Sequence, residues 1–126
     1  MIITAVPERF AIRYGVMRPL LTLLGMGPAV SGIEIDGTQL RVRMGWAFRA
    51  RVPRERIRGA ERSAALPGGI GVHGWRGRWL VNGAASGLVS ITLDPPARAW
   101  VLGVPVRLTL LRVSAEDPDG LVRALG

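Results

Sequence analysis

Apolar and polar residues alternate along most of this chain, a period of two that marks half-buried strands and differs from the period of about 3.6 that marks helices. From Glu8 to Tyr14, Phe10, Ile12 and Tyr14 alternate with Arg9, Ala11 and Arg13, which predicts a first strand. The alternation then fails between residues 17 and 25, where Pro19 near the start and Gly25 at the end bracket a helix of about two turns. This helix is apolar nearly all round, so it is expected to pack on the sheet with most of its surface covered.

Between Ser31 and Val52 the pattern defines three strands whose inward sets are Ile33 and Ile35, then Leu40, Val42 and Met44, then Phe48, Ala50 and Val52. Asp36-Gly37 predicts a two-residue hairpin turn, with Ile33 opposite Leu40 and Ile35 opposite Thr38. The next connection is fixed by parity. A two-residue loop at Gly45-Trp46 would set Arg43 against Phe48 and throw the apolar sets onto opposite faces, which the strand period forbids. A three-residue loop of Gly45, Trp46 and Ala47 instead pairs Met44 with Phe48, Val42 with Ala50 and Leu40 with Val52 inside. Outside, it pairs Arg43 with Arg49 and Arg41 with Arg51.

Pro53 is expected to end the third of these strands, and Arg56 to Ser63 to form another with Ile57 facing inward. The small residues 64–69 read as a mobile loop rather than a domain boundary, since neither half of the chain would bury a core alone. Gly71 to Val81 reads as one strand running to a turn at Asn82-Gly83, with Trp75 and Trp79 on one face and Arg76 and Arg78 on the other. Leu88 to Leu93 follows as a strand closed by Asp94, Pro95 and Pro96, and residues 98–102 and 104–113 pair across Gly103, with Pro105 at a strand start or edge. Asp117 as cap, Pro118 at the first position, acid in the first turn and a final glycine predict a short C-terminal helix. Seven or eight short strands with frequent turns predict a mainly β chain, a barrel or sandwich, and residues 1–126 match the size of a single domain.

Composition narrows the chemistry. There is no cysteine and one histidine, His73, so thiolate chemistry and cysteine zinc or iron–sulfur sites are excluded, and a histidine metal cluster within one chain with them. Residues 68–71 lack the Lys-Ser/Thr ending of a phosphate-binding loop, and no serine stands in a nucleophile-elbow context. No enzyme activity, cofactor or metal is therefore expected. The N-terminus lacks the pattern of a signal peptide, and the apolar stretch 16–30 is too interrupted to span a bilayer, so a cytoplasmic protein is expected. The net charge is +8, and all seventeen basic residues are arginine, a bias that suits phosphate and carboxylate partners but that a GC-rich genome also produces.

Val52-Pro53 followed by Ile57, the segment 79–83, and a last strand at 111–114 running into Glu116, Asp117, Pro118 and residues 119–122 resemble bacterial pleckstrin-homology-like (PH-like) domains, and also small proteins of GC-rich bacteria. The resemblance implies a bent antiparallel β-barrel of about seven strands capped by a C-terminal helix, with Asp117-Pro118 similar to the motif that opens it. The helix after strand one departs from that pattern and resembles the insert of a lipid-binding barrel.

The candidate binding residues are Arg41, Arg43, Arg49 and Arg51, with Trp46 at the loop tip beside them. Like charges directly opposite on a sheet destabilise by up to about 1 kcal/mol per pair, so an anion is expected nearby. Glu34, diagonal to Arg41 in the derived register, is the internal candidate; a phosphate, acidic peptide or nucleic acid is the external one. Trp46 would stack on a base, anchor in a membrane interface, or fold back over the barrel end. The expected function is a non-enzymatic binding or scaffolding module that engages a protein or an anionic surface such as lipid headgroups, peripheral to the membrane. The alternatives are a carrier of a hydrophobic ligand or lipid inside the barrel, and a nucleic-acid binder acting through the arginine face.

Overall fold

The computed structural model describes residues 8–63, 71–84 and 86–126. Its strands are β1 (Glu8–Phe10), β2 (Ser31–Ile35), β3 (Gln39–Met44), β4 (Phe48–Pro53), β5 (Ile57–Arg62), β6 (Gly71–Trp75), β7 (Arg78–Asn82), β8 (Leu88–Val101) and β9 (Val104–Ser114). Helix α1 (Arg18–Leu23) follows β1 and α2 (Pro118–Leu125) follows β9. All nine strands belong to one sheet in the order β1-β2-β3-β4-β8-β9-β7-β6, with β5 also paired to β8. The chain is thus mainly β, a curled sheet with two small helices, as the alternation predicts.

The curl comes from long strands that bend together. β4 and β5 run end to end along β8, interrupted by Pro53 and the short 3-10 turn Arg54–Arg56. β8 answers with an irregularity of its own, because its pairing with β9 jumps from Thr92↔Leu110 to Ala97↔Leu108. Asp94, Pro95 and Pro96 therefore do not close the strand as expected. They sit in the stretch that has no partner on β9, where a missing proline N–H costs no ladder bond. The N-terminal segment then crosses the open side: beyond β1, Ile12 bridges Ala115 and Tyr14 bridges Gly83. The mixed character of the sheet was not expected either, since β7 runs parallel to β9.

The β3–β4 register is the one that parity demands, including Arg41↔Arg51 and Arg43↔Arg49 across the Gly45, Trp46, Ala47 tip. The β2–β3 register is slipped by two residues from the expected one, with Ile35↔Leu40, Ile33↔Val42 and Glu34↔Arg41. A type I′ turn needs positive φ at both central residues, and neither Asp36 nor Gly37 has it. Asp36 instead closes a longer loop with its side chain, its Oδ1 accepting from the backbone N–H of Thr38 (2.8 Å) and Gln39 (2.9 Å) and from the Thr38 hydroxyl. Because the slip is an even number, every side chain keeps its expected face.

The single strand expected at 71–81 is a hairpin, β6 and β7 joined at Arg76 (φ 52°) and Gly77 (φ 85°). Trp79 pairs with Gly74 and Trp75 with Arg78, so the two tryptophans belong to different strands and not to one. Asn82-Gly83 is not the turn. The Asn82 amide donates to the Ala84 carbonyl, and the Gly83 N–H donates to Ser114 Oγ where the N-terminal segment crosses. The loop expected at 64–69 lies outside the described residues.

Inward side chains fill the concave side. Ile33, Leu40, Met44, Ile91, Leu108 and Leu111 have no exposed surface and belong to one cluster with Leu121 of α2. α2 forms as its signals predict, with Asp117 Oδ1 accepting from the Gly120 N–H at 3.0 Å. Its last turn is tied down by Arg54, which donates to the carbonyl of Ala124 (3.0 Å) and also to that of Asp36 (3.3 Å). A cation at a helix C-terminus complements the orphan carbonyls there. α1 departs from expectation: its bounds fit the proline and glycine signals, but only Leu21 of the helix is buried. It is not a covered plug, because the sheet's concave side is already filled by the strands' own side chains and by α2.

Candidate functional site

The convex face of β1 to β4 carries the polar half of each alternating strand, and cross-strand pairing sorts it into rows. One row runs Arg9, Glu34, Arg41, Arg51, and the next runs Gly32, Arg43, Arg49, Trp100, Pro105. In β8 and β9 the inward residues are Ala97, Ala99 and Leu108, which puts Arg98 and Arg107 on the convex side, paired with each other and exposed. The arginine ladder read from β3 and β4 thus continues across β8 and β9. Arg98, Arg107 and Trp100 lie about fifty residues further along the chain, and only the β4–β8 pairing, which no local pattern announces, brings them to the site.

The two rows differ in how their charge is met. Glu34 stands directly opposite Arg41, not diagonal to it, and binds it at 2.7 Å, with Arg9 on its other side at 3.5 Å. Asp36 adds a longer contact to Arg41 at 3.8 Å. The internal anion is therefore spent on the first row. In the second, Arg43 and Arg49 face each other with exposed side chains, and among the described residues no carboxylate pairs with either. Arg49 lies over the ring of Trp100, 5.0 Å from the centroid, a cation–π contact worth about 0.5–1 kcal/mol at an exposed site. Arg51 and the Arg98–Arg107 pair have no carboxylate partner among the described residues either.

Between the arginines of β3 and β4 lies a broad open depression of about 1110 Å³, lined also by Glu34. Its floor includes Gly32, where an added Cβ would meet nothing within 4 Å, and its rim includes Arg43, Arg49, Trp46 and Trp100. Gly32 and Trp100 were not among the residues singled out from the sequence. The expected β2–β3 register set Gly32 opposite Arg41, and only the observed one sets it opposite Arg43.

Trp46 neither folds over the barrel end nor stands free. Its indole N–H donates to the carbonyl of Leu24 at 2.6 Å, so it lies against the turn after α1 while remaining 62% exposed. Gly25 (φ 81°) makes room for it, since a Cβ there would touch the indole at 2.9 Å. The same turn is held from below by Tyr14, whose hydroxyl donates to the Met26 carbonyl at 2.7 Å. Burial raises the Tyr14 pKa above its ordinary value against the opposing pull of Ser31 and Arg18. The tip of β3–β4 and the α1 turn are thereby one connected edge of the depression.

What this arrangement offers chemically is a set of fixed hydrogen-bond donors and positive charge beside an exposed aromatic. Guanidinium forks of this kind bind carboxylate or phosphate bidentately. No family model, no curated protein and no solved structure matches this chain.

Proposed function

We propose that the chain is a non-enzymatic binding module on a PH-like barrel, and that it engages an anionic group, carried by a protein or a surface, in the depression bordered by Arg43, Arg49 and Trp46. The observation that carries this reading is the directly opposed Arg43–Arg49 pair, without a carboxylate partner among the described residues, above the open floor at Gly32. Holding two like charges opposite each other costs up to about 1 kcal/mol, and a bound anion turns that cost into charge-assisted hydrogen bonds of about 1.5–3 kcal/mol each. Trp46 and Trp100 supply apolar walls that lower the local dielectric and strengthen those bonds.

The carrier alternative has less to rest on. The inner faces of the strands are filled by aliphatic side chains packed against one another, and a guest would have to displace them.

Retention on a phosphocellulose column under a salt gradient tests the reading. Arg43→Glu with Arg49→Glu is expected to elute at markedly lower salt than Arg58→Glu with Arg78→Glu, which changes the net charge equally on exposed residues elsewhere. Equal shifts for the two double variants would mean that total charge, and not this surface, does the binding.

A further inference from the structure

The exposed apolar residues of the described chain are not scattered. The large ones are Val16 (94%), Met17, Leu20, Leu23 (81%), Leu24, Val30, Trp46 (62%), Leu102 (59%) and Val104 (59%), and every one belongs to α1 and its flanks, the β3–β4 tip or the β8–β9 tip. Backbone and indole hydrogen bonds join these pieces into one end of the molecule: Trp46 to Leu24 at 2.6 Å, the Gly45 N–H to the Val30 carbonyl at 3.1 Å, and the Leu102 N–H to the Ala47 carbonyl at 2.9 Å. Single exposed aliphatics are ordinary, but a collection confined to one end marks an interaction surface.

The charge of this end is equally one-sided. The three stretches that build it, 9–33, 37–54 and 95–115, contain no aspartate or glutamate, and they supply Arg18, Arg43, Arg49, Arg98 and Arg107. Of the nine carboxylates, Glu8 and Glu34 lie on β1 and β2, Glu34 bound to Arg41, and the other seven lie at the β2–β3 turn (Asp36), before and within β5 (Glu55, Glu61), at the bend of β8 (Asp94) and at the start of α2 (Glu116, Asp117, Asp119).

We infer that this end inserts shallowly into an anionic lipid bilayer, with α1, Trp46, Leu102 and Val104 entering the headgroup–acyl boundary while the arginines behind them bind lipid phosphates. The inference rests on the anion-binding reading above and names the surface that carries the anions. An anionic bilayer supplies both chemistries at once: an apolar layer for leucine, valine and tryptophan, and phosphate for arginine just outside it. A second copy of the chain fits poorly, since a symmetric contact would set these arginines against their own equals. Insertion stays shallow because, among the described residues, no helix is long and apolar enough to cross a membrane.

The chain has no cysteine, so a single introduced thiol can be labelled specifically. Leu23→Cys and, at the acidic end, Glu55→Cys are labelled with a polarity-sensitive dye and mixed with phosphatidylcholine vesicles, with and without phosphatidylglycerol. The expected result is a blue shift and quenching by brominated lipid for the dye at 23, only with phosphatidylglycerol present, and neither for the dye at 55. Leu20→Ser with Leu23→Ser is expected to weaken vesicle affinity by about tenfold while leaving phosphocellulose elution unchanged. Vesicle binding that leaves the dye at 23 unmoved overturns insertion but keeps the anion site. Phosphocellulose retention that depends on Arg43 and Arg49, without vesicle binding, overturns the bilayer in favour of an acidic protein. A blue shift that grows with protein concentration in the absence of vesicles assigns the surface to self-association and also overturns it.

Discussion

Gly32 shows how one residue sets the chemistry of a sheet face. Its position opposite Arg43 calls for a side chain, yet the space above it is open and its φ is not in the left-handed region, so any L residue fits there. Gly32→Glu should therefore fold normally and gain a cross-strand ion pair of about 0.2–1 kcal/mol with Arg43. It should also fill and neutralise the depression. Thermal melting should show an unchanged or slightly higher midpoint, while phosphocellulose elution falls to lower salt, as for Arg43→Glu with Arg49→Glu. Asp36 is the other residue whose side chain carries local structure. Hydrogen bonds from the Thr38 and Gln39 N–H groups and the Thr38 hydroxyl hold its pKa below the ordinary 3.8, with Arg41 adding a smaller pull. A lowered folded-state pKa means the contribution is complete above the unfolded value and is lost as pH falls through the folded one. Stability should fall as pH drops below the ordinary value of 3.8, and Asp36→Asn, which keeps an acceptor oxygen but cannot ionise, should flatten that part of the melting-temperature profile.

At the level of elements, the outcome depended on whether a turn was fixed by parity or by its own backbone. The β3–β4 hairpin was legible because two apolar sets had to share a face and only an odd loop allowed it. The β2–β3 loop was misjudged because Asp-Gly is the usual type I′ pair, whereas here Asp36 builds a longer loop by side-chain hydrogen bonding. The hairpins whose two central residues do take positive φ are Arg76-Gly77 and Leu102-Gly103, with φ of 52° and 51° at Arg76 and Leu102. Neither arginine nor leucine favours that region; the Arg76-Gly77 turn was passed over for that reason, whereas the pairing across Gly103 was expected and is found. Leu102 holds a strained backbone at an exposed tip. Leu102→Asn should relieve about 1 kcal/mol of that strain and raise the melting temperature. If the tip enters a bilayer, the same change should weaken vesicle binding, and the two effects should be measured together on one preparation.

For the molecule as a whole, the mainly β architecture, the inward core and the capped terminal helix followed from alternation and capping, because both act over a few residues. The placement of α1 did not, since an apolar helix reads the same whether a core covers it or a partner does. The sequence also could not bring Trp100, Arg98 and Arg107 beside Arg43 and Arg49, because that depends on a strand pairing across about fifty residues. Folded, the chain is polarised. Seven of its nine carboxylates lie at the β2–β3 turn, before and along β5, at the bend of β8 and at the start of α2, and the Arg43–Arg49 and Arg98–Arg107 pairs and the exposed aliphatics lie along β3, β4, β8, β9 and α1. A polarised charge of this kind orients approach to an anionic surface before any contact forms, and it should weaken as salt shortens the screening length to about 10 Å at 0.1 M.

Backbone amide chemical shifts, followed by NMR while inorganic pyrophosphate is titrated into the protein at low salt, decide whether the Arg43–Arg49 row binds anions. Saturable changes are expected at Gly32, Arg43, Arg49 and Trp100, absent in Arg43→Glu with Arg49→Glu. Changes spread evenly over all arginines, or centred on α2, would contradict it.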